Sequence, residues 1–375
     1  MKIQLNISPL KSWSGKSAKP LIISGPCSAE TEEQTLSTAK AVAEIDPSII
    51  FRAGVWKART RPNSFEGVGS PGLAWLAKVK HETGMMVATE VANGKHVEEC
   101  LKNNIDILWI GARTTVNPFF VQEIADALQG VDIPVMIKNP VNPDLQLWIG
   151  AIERINRVGV TKIVAIHRGF HSFESHTFRN DPKWQLAIDL KLACPGLPVI
   201  CDPSHICGNT TLIPYISQKA MDMDMDGLMI ETHINPLMAK SDAKQQLIPE
   251  ELKNLLARII VRSAVSENKE FTTCLTRLRN SINNVDDELL QILLKRMTIA
   301  GEIGKYKKDH HVTILQTDRW EELLRNHLNN GLIMGMRSEF IKKLYQLIHE
   351  ESIRIQEEVM NEVDVQYTGN ADNNN

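Results

Sequence analysis

The stretch FRAGVWKART (51–60) places Arg52, Lys57 and Arg59 within eight positions at the end of a short apolar run. A strand end facing water needs one or two charges, and a fully buried strand cannot carry unpaired ones, so this spacing points to an anion held there. Arg113, Lys138 and Arg168 close further apolar runs in the same way. Because the formal net charge of the chain is -3, these cations are concentrated rather than merely abundant. Their ligand should be multiply anionic: two phosphorylated substrates, or one phosphate plus a carboxylate. Lys57 and Lys138 are also candidates for moving a proton. A second set comprises Cys27, His205, Glu231 and, in the following loop, Asp242. A thiolate, an imidazole and two carboxylates suit a divalent first-row ion of the Mn, Fe, Co or Zn type better than Mg. Taken singly, Cys27 reads as a small core residue and His205 as a hydrogen-bonded loop histidine. Only a shared rim makes them a site.

The elements that would create such a rim are eight short apolar strands: 20–26, 48–54, 85–91, 107–113, 134–139, 162–169, 198–204 and 227–233. Helical periodicity lies between them, as in 35–45, 72–84 and 148–159. This alternation belongs to a parallel α/β sheet, and eight β/α units in one domain favour a closed (β/α)8 TIM barrel. In that fold the reactive groups gather at the C-terminal ends of the strands, where both sets fall, as does His233. The chain has 375 residues, 43% hydrophobic and 23% charged, enough for a large domain plus a smaller one. Its charge balance gives no bulk attraction to nucleic acid or to an anionic membrane. No apolar run is long enough to span a bilayer, and the N-terminus lacks a signal-peptide pattern, so we expect a cytoplasmic protein with its six cysteines as free thiols or metal ligands.

The composition changes after the barrel, which we bound at residues 1–265 with a last helix over 249–265. Residues 266–273 read as a linker, 274–362 as an all-α domain of three helices, and 363–375 as a disordered tail. In the first long helix apolar residues recur three and four apart, from Leu275 through Leu278, Ile282, Val285, Leu289 and Ile292 to Ile299 and Ile303. Arg296 fills the one gap in that seam. Lys307 lies eleven residues on, on the same face and about 16 Å away, so the two could bracket a small dianion. Arg279, seventeen residues before Arg296, is too distant and would serve the site of a second chain in a dimer. Shorter helices are expected over 318–328 and 338–360, with Gly331 and Gly335 in the turn between them. Ser352 and Gln356 sit at i and i+4 on the apolar face of the last helix. From periodicity alone, this is equally a dimerisation module whose buried polar residues fix register.

Several motifs carry a resemblance. GPCS (25–28), KART (57–60), GAR (111–113), IKN (137–139), HRG (167–169), DPSH (202–205) and IETH (230–233), followed by SDAKQQL (241–247), resemble the type I 3-deoxy-7-phosphoheptulonate (DAHP) synthases over residues 20–262. That group is related to 3-deoxy-octulosonate 8-phosphate synthase. The resemblance implies that Cys27, His205, Glu231 and Asp242 bind the metal. Arg52, Lys57, Arg113, Lys138 and Arg168 would hold phosphoenolpyruvate, and Arg59 with Thr60 the phosphate of erythrose 4-phosphate. The implied reaction is an aldol-like condensation. KARTRP (57–62), where the octulosonate relatives read KANRSS, favours the four-carbon aldose over arabinose 5-phosphate, and Ala58 departs from the usual proline.

LRNSINNVD (278–286), LLKRM (293–297), GKYK (304–307), DRWEELL (318–324) and YQLIHEESIRIQ (345–356) resemble the all-helical chorismate mutases. By that resemblance Arg279 of the partner subunit, Arg296 and Arg319 contact carboxylates and the rim. Lys307 and Gln356 would bind the ether oxygen, and Ser352 a carboxylate. Gln316 and Trp320 stand where the bacterial pattern has acids. A bifunctional enzyme of aromatic amino acid biosynthesis is implied, with prephenate feedback on the synthase as a corollary. The other reading keeps the synthase and makes the helical domain a non-catalytic sensor.

Overall fold

Alternation within each strand decides which way its side chains face. Leu21 and Ile23, Ile107 and Trp109, and Val164 and Ile166 point inward with Ile50, Ala88, Met136, Ile200 and Met229 to form one closed cluster. Their neighbours Ile22, Leu108, Ile110, Ile163 and Ala165 point outward and pack with the helices. A strand buried on both faces can be apolar throughout, which is why these runs read so clearly. In the computed structural model, which describes residues 2–15, 20–57, 64–172, 177–263 and 265–361, the eight strands form a closed parallel barrel in chain order. They are β1 (Leu21–Gly25), β2 (Ile50–Arg52), β3 (Val87–Val91), β4 (Ile107–Ile110), β5 (Val135–Lys138), β6 (Ile163–His167), β7 (Val199–Cys201) and β8 (Gly227–Glu231). β1 closes the barrel on β8, with Gly25 opposite Glu231. Leu10 and Trp13, from the segment before β1, pack against the interior cluster.

The helices of this unit are α1 (Glu32–Ile45), α2 (Pro71–Thr83), α3 (Gly94–Lys102), α4 (Ala112–Thr115), α5 (Pro118–Ala127), α6 (Leu145–Arg157), α7 (Trp184–Ala193), α8 (Pro203–Cys207), α9 (Ile213–Asp222) and α10 (Pro249–Arg258). The strands are shorter than the sequence reading at nearly every end. The residues just past them, Cys27, Arg113, Arg168 and His205, lie in loops or in the short helices α4 and α8 rather than in the ladder. The last helix also stops early, at Arg258 instead of 265. Beyond it, Ile260 exchanges two hydrogen bonds with the Gln218 side chain, and Arg262 pairs with Asp222 at 2.6 Å. These contacts, with the β-branched run 259–261, replace another helical turn.

The chain divides into two compact units, Met1–Ala264 and Val265–Asn375. The second contains α11 (Lys269–Asp309), α12 (Thr317–Ile333) and α13 (Ser338–Asn361). α11 begins inside the expected linker because Asn268 Oδ1 accepts the Phe271 backbone N–H and caps it. Gly331 lies within α12, not in the turn, which holds Gly335 at φ +79°. α13 packs on both other helices. At Gly304 an added Cβ would stand 3.2 Å from the Gln356 backbone, so glycine permits the close approach of α11 and α13. Among the described residues no helix is long and apolar enough to cross a membrane.

Candidate active sites

The barrel site starts from a glycine. Gly25 ends β1 at φ +148°, where a Cβ would meet Arg52 O at 2.2 Å, so β2 can lie close beneath the Cys27 loop. Arg52 is 1% exposed. Its Nη1 donates to Glu231 Oε1 (2.9 Å), its Nη2 to Cys27 O (3.1 Å), and its guanidinium lies 4.7 Å from the Trp109 ring centre. Arg52 thus has both Nη atoms engaged below the site, while its buried Nε has no partner, and it is not among the residues lining the adjacent cavity. That cavity is lined by Lys57, Glu90, Arg113, Lys138, Arg168, His205 and Asp242, with Gly111 and Ala112.

Above Arg52, ligand atoms of Cys27, Glu231 and Asp242 lie within 4.8 Å of one another. The fourth expected ligand stands just outside this cluster, with His205 Nε2 3.9 Å from Glu231 Oε1. Asp202 sets the ring: its Oδ1 accepts the His205 backbone N–H and caps α8, while its Oδ2 lies 2.8 Å from Nδ1 and accepts from Lys138 Nζ, also at 2.8 Å. One carboxylate thus terminates a strand, starts a helix and turns Nε2 toward Glu231. Burial lowers the His205 pKa and keeps the imidazole neutral, as a ligand must be.

Burial, then Glu231, push the Cys27 thiol up to about 12. It stands protonated, 3.2 Å from Asp242 Oδ2, and Lys57 Nζ, 3.0 Å from Sγ, keeps its charge. Burial would raise Glu231 and Asp242 as well, but the groups facing them outweigh it: the His205 ring and the Arg52 guanidinium for the first, the Arg179 guanidinium and the His205 ring for the second. Both carboxylates are ionised. A soft sulfur and two hard oxygens around one point fit a borderline divalent ion, which would displace the thiol proton on binding. Arg168 is brought down to about 10 by burial and donates to Asn180 Oδ1 at 2.9 Å.

Four participants escaped the sequence reading. Asp202 was visible as an N-cap pattern in DPSH. Glu90 is the penultimate residue of β3, the one strand for which no rim residue was named, and a carboxylate in an otherwise buried strand was its signal. Arg179, which pairs with Asp242 at 3.1 Å and donates to Gln245 Oε1, sits in a loop with no spacing to mark it, and Gln245, whose Nε2 holds Glu231 Oε2, ends a 3-10 turn (Ala243–Gln245) within SDAKQQL, where no residue type singles it out. Ala58, Arg59 and Thr60, like the tail 363–375, lie outside the described residues.

The helical unit holds a cavity of about 340 Å³. Arg296, Lys307, Arg319, Ser352 and Gln356 all line it, with Gln316, Trp320 and His349. Arg296 Nη1 donates to Ser352 Oγ (2.6 Å), which donates to Ile348 O (2.7 Å). Lys307 Nζ donates to Ile314 O (2.6 Å). Gln356 Nε2 donates to Ser352 O at 3.1 Å, whereas its buried Oε1 has no partner. Burial lowers the pKa of both Arg296 and Lys307. Arg279 is not part of this cavity. It lies on the first half of α11, whose apolar residues Leu278, Ile282, Val285 and Leu289 are each at least half exposed.

The DAHP synthetase I family model matches residues 2–264, and the chorismate mutase type II model matches residues 278–357. A phospho-2-dehydro-3-deoxyheptonate aldolase of Thermotoga maritima is 33% identical over 235 residues, covering 63% of this chain and 67% of that protein. A 2-dehydro-3-deoxyphosphooctonate aldolase of Francisella tularensis is 28% identical over 63% of this chain and 88% of its own length. Among solved structures, the crystal structure of the Thermotoga maritima phospho-2-dehydro-3-deoxyheptonate aldolase (DAHP synthase) superposes with a TM-score of 0.57 at 30% identity. That match covers 63% of this chain and 66% of the other, just under two thirds.

Proposed function

The chain belongs to the DAHP synthetase I family and carries a type II chorismate mutase domain behind it, and from that premise we propose that it performs both reactions. The barrel condenses phosphoenolpyruvate with erythrose 4-phosphate to 3-deoxy-7-phosphoheptulonate, and the helical unit rearranges chorismate to prephenate. The observation that carries this reading is the convergence of Cys27, Glu231 and Asp242 beside a cavity lined by Lys57, Arg113, Lys138 and Arg168.

Cys27, His205, Glu231 and Asp242 would hold an ion of the Mn, Fe, Co or Zn type, which supplies Lewis acidity for an aldehyde oxygen. Arg113, Lys138 and Arg168 bind the phosphate and carboxylate of phosphoenolpyruvate with Lys57, and Arg52 acts from beneath by fixing Glu231. Arg59 and Thr60 take the aldose phosphate. C3 of phosphoenolpyruvate bonds to the aldehyde carbon, water adds at C2, and the C2–O bond to phosphate breaks. Lys57 and Lys138 are the groups placed to move protons.

In the helical unit Arg296, Arg319 and Ser352 hold carboxylates while Lys307 and Gln356 face the ether oxygen. The rearrangement needs only the folded conformer and stabilised charge on the breaking C–O bond. Gln356, with an unpartnered buried oxygen, has one face of its amide to give, and rotation of that amide would present its N–H2 instead. Arg279 of the partner subunit completes the site in a homodimer or higher oligomer, for which the exposed seam of α11 is the contact surface. Prephenate bound there inhibits the barrel. The six free thiols, five of them buried, suit a reducing compartment such as the cytoplasm.

The test supplies phosphoenolpyruvate with each aldose in turn and measures phosphate release, alongside chorismate consumption. Release with erythrose 4-phosphate and loss of chorismate are expected. Preference for arabinose 5-phosphate would favour the octulosonate reading, which the Francisella relative supports. Phosphate release without any chorismate turnover would leave the helical unit a sensing and dimerisation module.

A further inference from the structure

One wall of the helical cavity is aromatic. Trp320 of α12 and His349 of α13 stack with ring centres 3.9 Å apart and planes 9° from parallel. Both line the cavity, Trp320 next to Arg319 in sequence and His349 one turn before Ser352. Face-to-face contact with an indole removes the rotational freedom that a half-buried histidine otherwise keeps.

The polar groups of the cavity divide by how they are engaged. Ser352 is tied to Arg296 and Ile348 O, and Lys307 to Ile314 O. The ring nitrogens of His349 make no hydrogen bond to a described residue. Among the described residues no carboxylate lines the cavity, while three cations do. On the reading that this site takes chorismate, on which the present inference rests, the cations answer its two carboxylates and leave its ring hydroxyl without an assigned partner. A neutral imidazole offers one donor and one acceptor, which is what a hydroxyl needs. Burial and then Arg296 lower the His349 pKa, consistent with a neutral ring.

We propose that the stacked pair Trp320–His349 is the specificity wall of this site: His349 hydrogen-bonds the ring hydroxyl, and Trp320 is the positioning residue that fixes the imidazole. The pair therefore discriminates between ligands that share both carboxylates and differ in the hydroxyl.

The test uses the full chain and compares KM for chorismate with the inhibition constant of a cyclic dicarboxylate analogue lacking the ring hydroxyl. His349→Leu is expected to weaken chorismate about five- to tenfold, the worth of one neutral hydrogen bond, and to leave the analogue within about twofold. Trp320→Ala should lose part of the same discrimination, and Trp320→Phe, which keeps a stacking plane, should regain it. Unchanged binding of the analogue doubles as evidence that each variant is folded. Equal weakening of both ligands, or no change in either, overturns the proposal and leaves the pair as packing. If wild-type protein neither binds nor converts chorismate, the underlying reading falls and takes this one with it, whereas intact turnover with unaltered discrimination sinks this one alone.

Discussion

The two cavities handle charge in opposite ways. The barrel mouth encloses about 60 Å³, and charges lining or bordering it are already paired: Lys138 with Asp202 and Asp242 with Arg179, with Arg52 and Glu231 joined beneath. The helical cavity, at about 340 Å³, has among the described residues three lining cations and no lining carboxylate. A ligand entering the barrel must exchange internal partners for its own oxygens, so the site is held by mutual neutralisation. A ligand entering the helical unit meets Arg296 and Lys307 held only by neutral oxygens, and Arg319 held by an exposed carboxylate. Breaking a pair in the first region should damage structure and chemistry together, while in the second the two should separate.

The largest effect should follow Glu231→Gln. Glu231 is fully buried between Arg52 Nη1 and Gln245 Nε2. An amide cannot accept from both, and Arg52 would be left buried with its charge unmatched. A loss of about 3–5 kcal/mol from the barrel unit is expected, together with loss of bound metal and of phosphate release. Chorismate turnover should persist, because the helical unit has its own packing. Thermal unfolding, metal analysis and both assays read this out. A variant that melts like wild type and keeps its metal would mean that the barrel charges do not depend on one another.

Arg296→Ala is the counterpart in the open cavity. The guanidinium donates to a neutral serine hydroxyl rather than to an acid, so its removal strands no charge. Chorismate turnover should fall by about a hundredfold or more, as when one positioned donor to developing charge is lost, with little change in melting. The proposed inhibition of phosphate release by prephenate should be lost as well, since coupling requires the effector to bind. Destabilisation as large as that of Glu231→Gln would erase the contrast between the regions.

How far this was legible in the sequence follows the same divide. The eight strands could be read in order because runs buried on both faces, such as LIIS and IVAI, look unlike the amphipathic helices beside them. Their ends were read too long, since Gly111 and Asp202 begin short helices that apolar patterning does not announce. Residues at strand ends, among them Cys27, Lys138 and Glu231, were found by position. Arg179 and Gln245 were not, because only tertiary packing brings those loops to Asp242 and Glu231. On the helices, i to i+4 spacing was enough to place Ser352 and Gln356 on one buried face. The exposure of the α11 seam was not legible, because periodicity says which residues share a face and not what covers it.

The smallest predicted effect tests the contrast at its weak end. Arg319 donates to Glu322 at 2.7 Å, but both side chains are more than half exposed. Water screens such a pair and solvates either partner once the other is gone, so Glu322→Gln should shift stability by no more than about 0.5 kcal/mol. Arg319 also lines the cavity, and its charge is now divided between Glu322 and any anion bound there. Neutralising Glu322 should therefore lower KM for chorismate by about twofold, an effect that weakens as salt is raised toward about 1 M, where the screening length falls to about 3 Å. A KM that rises instead would mean that Glu322 holds the Arg319 guanidinium in its binding orientation. The exposed pair would then be a positioning device, closer in kind to Arg52 and Glu231 than its exposure indicates.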